Sequence, residues 1–382
     1  MIYLPRVIET TLKKHLSAFP IVAVTGPRQA GKSTLLQQTL SDYHYVTFDD
    51  PNLREFLHMD PEGFMKTYSS RVIFDEAQLA PALFSYLKIY VDRPDNRSIK
   101  GQFVLTGSSQ FHLLSQITET LAGRVGLLSL LPLEYSELPD KEKPLSVYRG
   151  SYPELVCRHY EYSDAWFSSY INTYLERDIR GLHNVGDLVT FQRFIKLLSA
   201  QVSAPLNMSQ YAKDIGVSVP TIKRWISMLE ASYIIFLLPP YFNNLSKRVI
   251  KTPKVYFYDS GLVAYLTGLI DQTVYERSPL KGALFENEII SQIIKKHKNR
   301  ALPGTFYFYR THEQSEVDMI IDFGTYRHWI EIKSTATFES KMTKTLLAQM
   351  QQQDEGFILY QGDEKPFHSR IKILPYFKYL KI

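Results

Sequence analysis

The stretch IVAVTGPRQAGKSTLLQQTL, residues 21–40, constrains this chain more than any other. Its opening, Ile21–Val24, is apolar and largely β-branched, as a buried parallel strand requires. Gly26 to Ser33 then match G-x-x-x-x-G-K-[ST] in full, and a helical pattern begins at once. In that order, strand, glycine loop and helix let loop and helix-start N–H groups close round a phosphate. The candidate nucleotide contacts are Gly26, Pro27, Arg28, Gln29, Ala30, Gly31, Lys32, Ser33 and Thr34. Lys32 is expected to reach the β- and γ-phosphates and Ser33 Oγ to ligate Mg²⁺. The alternative, an ordinary Gly/Pro turn, leaves the flanking strand and helix without a reason.

Further strands are expected at YVTFDD and RVIFDEAQ. Acids at the end of a hydrophobic strand are costly unless they meet a cation. A Walker B strand accounts for both: Asp75 holds the Mg²⁺ shell and Glu76 polarises the attacking water. Two solvated acids opening a turn are the other reading. GQFVLTGSSQF is another apolar strand, ending in Thr106, Ser108 and Ser109. A polar group there can contact the γ-phosphate or the lytic water, or simply form a turn. Arg124, between two glycines in LAGRVGLLSLL, reads as an arginine finger, in cis or across a subunit interface, or as a surface arginine.

PRQAGKSTLL, FDEAQ, LTGSSQF and LAGRV together resemble the prokaryotic AAA-type ATPases that carry a C-terminal domain of unknown function. The resemblance continues past residue 330. It implies an ATP-hydrolysing P-loop protein of the additional-strand class, with ATP and Mg²⁺ as cofactors and a homo-oligomeric assembly. It supplies no substrate.

The chain has 382 residues, too many for one compact core, and three domains are expected: 1–140, 141–272 and 273–382. The fold class is α/β: an AAA-type parallel sheet, then a helical and winged-helix region, then a restriction-endonuclease-like α/β domain. Cys157 is the single cysteine, which excludes a disulfide framework and suits a reducing compartment. No apolar run approaches the roughly 18–20 residues of a membrane helix, and the charged start MIYLPRVIETTLKKHL lacks a signal-peptide core. A cytoplasmic protein with no membrane partner is expected. The net charge of +5 permits nucleic-acid binding without demanding it.

In the middle, YINTYLERDIR places Arg177 and Arg180 near Asp178, as helix-surface ion pairs or as lid contacts to nucleotide. LNMSQYAKDIGVSVPTIKRWISMLEAS reads as helix, short Gly turn, helix. Asn207 or Ser209 caps the first helix and Gly216 ends it. Ser218, Thr221, Lys223 and Arg224 then lie near the start of a recognition helix, able to reach DNA, unless the module only packs. Lys247, Arg248, Lys251 and Lys254 follow, as phosphate contacts or as a solvated hairpin.

From residue 282 the order helix, three strands, helix (roughly 338–352), strand matches the core of the PD-(D/E)XK nuclease fold. Its pattern falls on Glu286 in the helix, Asp318 on the second strand, and Glu331 and Lys333 on the third, RHWIEIKST. Glu331 and Lys333, two apart, share a strand face. Asp318 and Glu331 are the expected metal ligands, since Mg²⁺ takes oxygen donors and lowers the pKa of a bound water. Lys333 is expected to orient that water. The alternatives are an inactive member of the fold or a simple ion pair.

Overall fold

The computed structural model describes residues 3–107, 110–175, 188–241, 252–269, 271–311 and 315–381. Ser108, Ser109, Arg177, Asp178, Arg180, Lys247, Arg248 and Lys251 lie outside the described residues. Among those described, no helix is long and apolar enough to cross a membrane. The chain divides into two compact units.

The first unit is built mainly from residues 1–132. Five strands, β1 (Ile21–Thr25), β2 (His44–Thr47), β3 (Val72–Asp75), β4 (Phe103–Thr106) and β5 (Val125–Ser129), form one sheet. Their order is β2-β3-β4-β1-β5, and every pairing is parallel. The two-residue period of a strand explains why both faces are covered. Ile21, Ala23, Phe74, Phe103 and Leu105 enter one core, while Val22, Val24, Ile73 and Val104 enter the other. β5 had no counterpart among the expected strands. Its burial alternates between buried and open positions, and it lies at the sheet edge beside β1.

The second unit joins most of residues 133–230, 234–297 and 302–382. Helix α2 (Met208–Ile215) is capped by Asn207, whose side chain accepts from Gln210 N, and it ends at Gly216 in the left-handed region. Helix α3 (Val219–Ala231) buries Ile222, Trp225, Ile226 and Leu229 and leaves Lys223 and Arg224 exposed. The antiparallel strands β6 (Ile235–Leu238) and β7 (Lys254–Phe257) follow.

Beyond them lies helix α4 (Lys281–Arg300), and then a six-stranded mixed sheet. Its strands are β8 (Thr305–Arg310), β9 (Glu316–Asp322), β10 (Arg327–Lys333), β11 (Glu355–Tyr360), β12 (Lys365–His368) and β13 (Ile371–Pro375), ordered β12-β13-β11-β10-β9-β8. β8, β9 and β10 are antiparallel neighbours, and β11 runs parallel to β10. The chain leaving β6 runs on beside β8: Phe308 N donates to Pro239 O at 3.0 Å and Tyr241 N to Phe308 O at 2.7 Å. The helix expected over 338–352 is shorter, a 3₁₀ turn at Ser340–Thr343 and a helix at Lys344–Gln349. Met350, just past it, is extended, and Glu355 opens the next strand.

Candidate functional site

β1 ends at Thr25, and the loop that follows needs conformations that only certain residues tolerate. At Gly26 the backbone φ is +136°, and a Cβ added there would stand 1.9 Å from the carbonyl oxygen of Leu130. Only glycine fits between β1 and the chain leaving β5. Gly31, at φ +90°, then turns the chain into helix α1 (Lys32–Thr39). Lys32 is buried, and its ammonium donates to the carbonyls of Gly26 and Pro27, both at 2.9 Å. Thr34 points outward from the helix.

Ser33 Oγ donates to Asp75 Oδ2 at 2.8 Å, which joins the helix start to the end of β3. Asp75 is also buried, and its other oxygen accepts from Glu76 N at 3.0 Å. Glu76 sits in the left-handed region at φ +51°, and its carboxylate accepts from the Gln78 side chain. Thr106, ending β4 between β3 and β1, has a buried hydroxyl with no hydrogen-bond partner among the described residues. A serine hydroxyl and a carboxylate are hard oxygen donors, the set that Mg²⁺ prefers, so the residues present fit that ion.

Two residues at this site carry no motif. Arg6 is buried, and its guanidinium donates to Ala30 O in the loop at 2.9 Å and to Leu131 O at 2.7 Å. Tyr45, on β2, donates its hydroxyl to Asp75 Oδ2, and burial pushes its own pKa up. Neither belongs to a spaced motif, and each acts on a segment distant along the chain, which is why sequence reading missed them.

Arg124 is elsewhere. Its carbonyl accepts from Ile21 N, at the start of β1, whereas the phosphate loop follows the end of that strand. In a parallel sheet these are opposite edges, separated by about 16 Å at ~3.3 Å per residue. Arg124 therefore stands apart from this chain's own phosphate loop. Its side chain grips Asp92 through two bonds, Nε to Oδ1 at 2.7 Å and Nη2 to Oδ2 at 2.8 Å.

The second cluster lies in the second unit. The antiparallel register pairs Trp329 with Ile320 and Ile330 with Met319. Continued by one residue, it sets Glu331 opposite Asp318. Asp318 Oδ2 accepts from Ile332 N at 2.7 Å, and Lys333 Nζ lies 2.6 Å from Glu331 Oε1 and 3.8 Å from Asp318 Oδ2. The second Glu331 oxygen is buried without a hydrogen-bond partner among the described residues. Glu286, on α4, accepts from Tyr256 at 2.6 Å and from Lys254 at 3.1 Å. Burial above all, and then the neighbouring Asp318, pushes the Glu331 pKa up to about 8. Burial likewise lifts Glu286 to about 7, against the pull of Lys254.

The four residues expected to share a site thus stand within electrostatic reach of one another. As metal ligands, however, Asp318 and Glu331 do not fit as they stand. Among the described residues no group of three or more His, Cys, Asp or Glu is disposed to hold an ion. One Glu331 oxygen is paired with Lys333, one Asp318 oxygen with a backbone N–H, and one Glu286 oxygen with both Lys254 and Tyr256, so an ion must displace a cation or a donor to reach them. Lys254, expected in a solvated hairpin or on a phosphate, is instead 2% exposed.

Family models match along the chain: an AAA domain at residues 18–139, a domain of unknown function (DUF8612) at 144–273, and another (DUF4143) at 281–379. The uncharacterized protein Rv2008c of Mycobacterium tuberculosis is 31% identical over 328 residues, covering 85% of this chain and 73% of that protein. Mb2031c of Mycobacterium bovis matches to the same extent. The chain belongs to this family of AAA-domain proteins. In this family member the AAA match falls on the five-stranded sheet and its phosphate loop. Among solved structures it is similar to the Walker-type ATPase PABY2304 of Pyrococcus abyssi. That likeness has 14% identity, covers 68% of this chain and 94% of that one, and has a TM-score of 0.46.

Proposed function

We propose that this AAA-type protein binds ATP with Mg²⁺ at the carboxyl-terminal edge of the five-stranded sheet and hydrolyses it. The observation that carries this reading is the Ser33–Asp75 hydrogen bond beside the loop that holds Lys32. Ser33 and Asp75 are the residues that would hold Mg²⁺, which when bound offsets charge on the β- and γ-phosphates. Lys32 exchanges its two loop carbonyls for phosphate oxygens, and the N–H groups of loop residues 28–31 complete the cradle. Glu76, oriented by Gln78, accepts a proton from the attacking water. The Thr106 hydroxyl, and Ser108 just beyond it, are the polar groups for that water or the γ-phosphate. Arg124 acts as an arginine finger from a second copy in a homo-oligomer, after releasing Asp92.

The test is phosphate release. Lys32→Ala and Glu76→Gln are each expected to lower it at least about 100-fold. Wild-type protein that binds ATP with Mg²⁺ and releases no phosphate sinks this reading.

One observation favours a second activity: Glu286, Asp318, Glu331 and Lys333 gather in one half-buried cluster. On this second reading the C-terminal domain is nuclease-like and acts on DNA phosphodiesters. α2 and α3 then present Lys223 and Arg224 to the duplex in the manner of a winged helix. Duplex, single-stranded and branched DNA are incubated with Mg²⁺ or Mn²⁺, and wild type is compared with Lys333→Ala. Cleavage lost in the variant supports the reading. Absence of cleavage by protein that hydrolyses ATP leaves a regulatory ATPase whose C-terminal domain only binds.

A further inference from the structure

The carboxylate face of β9 and β10 meets a cation that the chain itself supplies. Lys254 opens β7, outside the family segment that carries the carboxylates. Its Nζ lies 3.1 Å from Glu286 Oε1, is paired with Glu316 Oε1, and stands over the Phe308 ring at 5.5 Å. The backbone beneath it is fixed. Lys254 pairs with Leu238 across the strands and bridges to Pro205, and Val255 N donates to Ala204 O at 3.1 Å. Tyr256 comes two residues on, so on the same strand face, and donates to the same Glu286 oxygen. Glu286 is therefore held from two sides.

The acids divide between two lysines. Lys254 takes Glu286 and Glu316; Lys333 takes Glu331 and Asp318. Arg310 adds a third cation, 3.5 Å from Glu316. With all groups charged, four carboxylates against three cations leave one negative charge. A divalent ion added to that set reverses its sign, and it must also win Glu286 from Lys254 and Tyr256. Without Lys254 the set carries two negative charges, which one divalent ion matches.

We propose that Lys254 is the resident cation of the carboxylate site, so that its ammonium and a divalent metal ion exclude one another on Glu286. This rests on the reading of the β9–β10 face as an ion-dependent phosphodiester site. It adds that the intact chain keeps the ion out, and that a hard, oxygen-liganded dication enters only when Lys254 withdraws. Burial works against the Lys254 charge, but Glu286 and its acidic neighbours hold its pKa above the ordinary lysine value, so the ammonium persists.

The experiment titrates full-length, nucleotide-free protein with Mn²⁺ alone, following free Mn²⁺ by electron paramagnetic resonance. Wild type, Glu286→Gln, Lys254→Met and the double variant Lys254→Met/Glu286→Gln are compared, with thermal unfolding as the check on folding. Ion uptake at the phosphate loop is common to all four and cancels. Lys254→Met is expected to gain one Mn²⁺ at least about tenfold tighter than any lost from wild type by Glu286→Gln, and the double variant to lose it. Where Lys254→Met does not fold, Lys254→Gln, which keeps a donor, takes its place. Two results overturn the inference: wild type that already binds Mn²⁺ through Glu286 as tightly as the variant, or a folded variant that gains none. A variant that takes up the ion yet cleaves no DNA leaves the inference standing and sinks the phosphodiester reading.

Discussion

Between Gly26 and Leu130 there is no room for a methyl group: a Cβ would stand 1.9 Å from a backbone oxygen that has nowhere to go. Gly26→Ala is expected to destabilise the first unit by about 3 kcal/mol or more, because a positive φ and a backbone clash add. Urea unfolding measures it, and a loss within error of zero sinks the assignment of that glycine. Arg6 makes a related prediction. Its two bonds hold the loop to the segment after β5. Arg6→Ala leaves two carbonyls without a donor, which costs about 2–4 kcal/mol, and is expected to weaken ATP binding measured by calorimetry. Arg6→Lys, with a point charge in place of a fork, should recover only part. The loop residues were legible because their spacing is local and each has a steric reason. Arg6 and Tyr45 were not, because what they do depends on segments far away along the chain.

On the scale of elements, β10 carries a prediction about pH. His328 packs against Phe357 and Phe323 at 4.8 and 5.0 Å, and its Nδ1 meets the Tyr379 hydroxyl at 3.0 Å. Burial lowers its pKa from 6.5 to about 4. The unfolded chain therefore takes the proton first. His328's contribution is whole above pH 6.5 and is lost as pH falls toward 4. At ~1.4 kcal/mol per unit the loss approaches about 3 kcal/mol. His328→Phe should flatten this acid limb relative to wild type; unchanged curvature in chemical denaturation across that range sinks the account. The same strand shows the limits of pattern reading. RHWIEIK announced itself through alternation, and its charges were legible as a shared face. Lys254 was not, since a lysine beside Pro253 and a run of basic residues looks solvated until β8, β9 and α4 close round it. α4 hides its character in a similar way. Asn287, Glu288, Ser291, Gln292 and Lys295 are all buried, so hydropathy places them on the wrong side.

For the whole molecule, that polar stripe decides what holds together. Glu288 accepts from Ser146 at 2.9 Å and from Ser260, and Lys295 donates to Ser151 at 2.8 Å. Residues 273–382 expressed alone lose every one of these, and Lys254 with them. Such a fragment leaves buried charges unpaired, at several kcal/mol each, and should show no cooperative thermal transition. A sharp transition in calorimetry would mean that these bonds are dispensable. The boundary between the two family segments, near residue 280, is thus a boundary in sequence and not in folding. That has a consequence for descent. A recombination event at this boundary would separate Lys254 from Glu286 and deliver a C-terminal segment whose acids lack their cation. The two segments can drift apart in sequence, but they must be inherited as one piece.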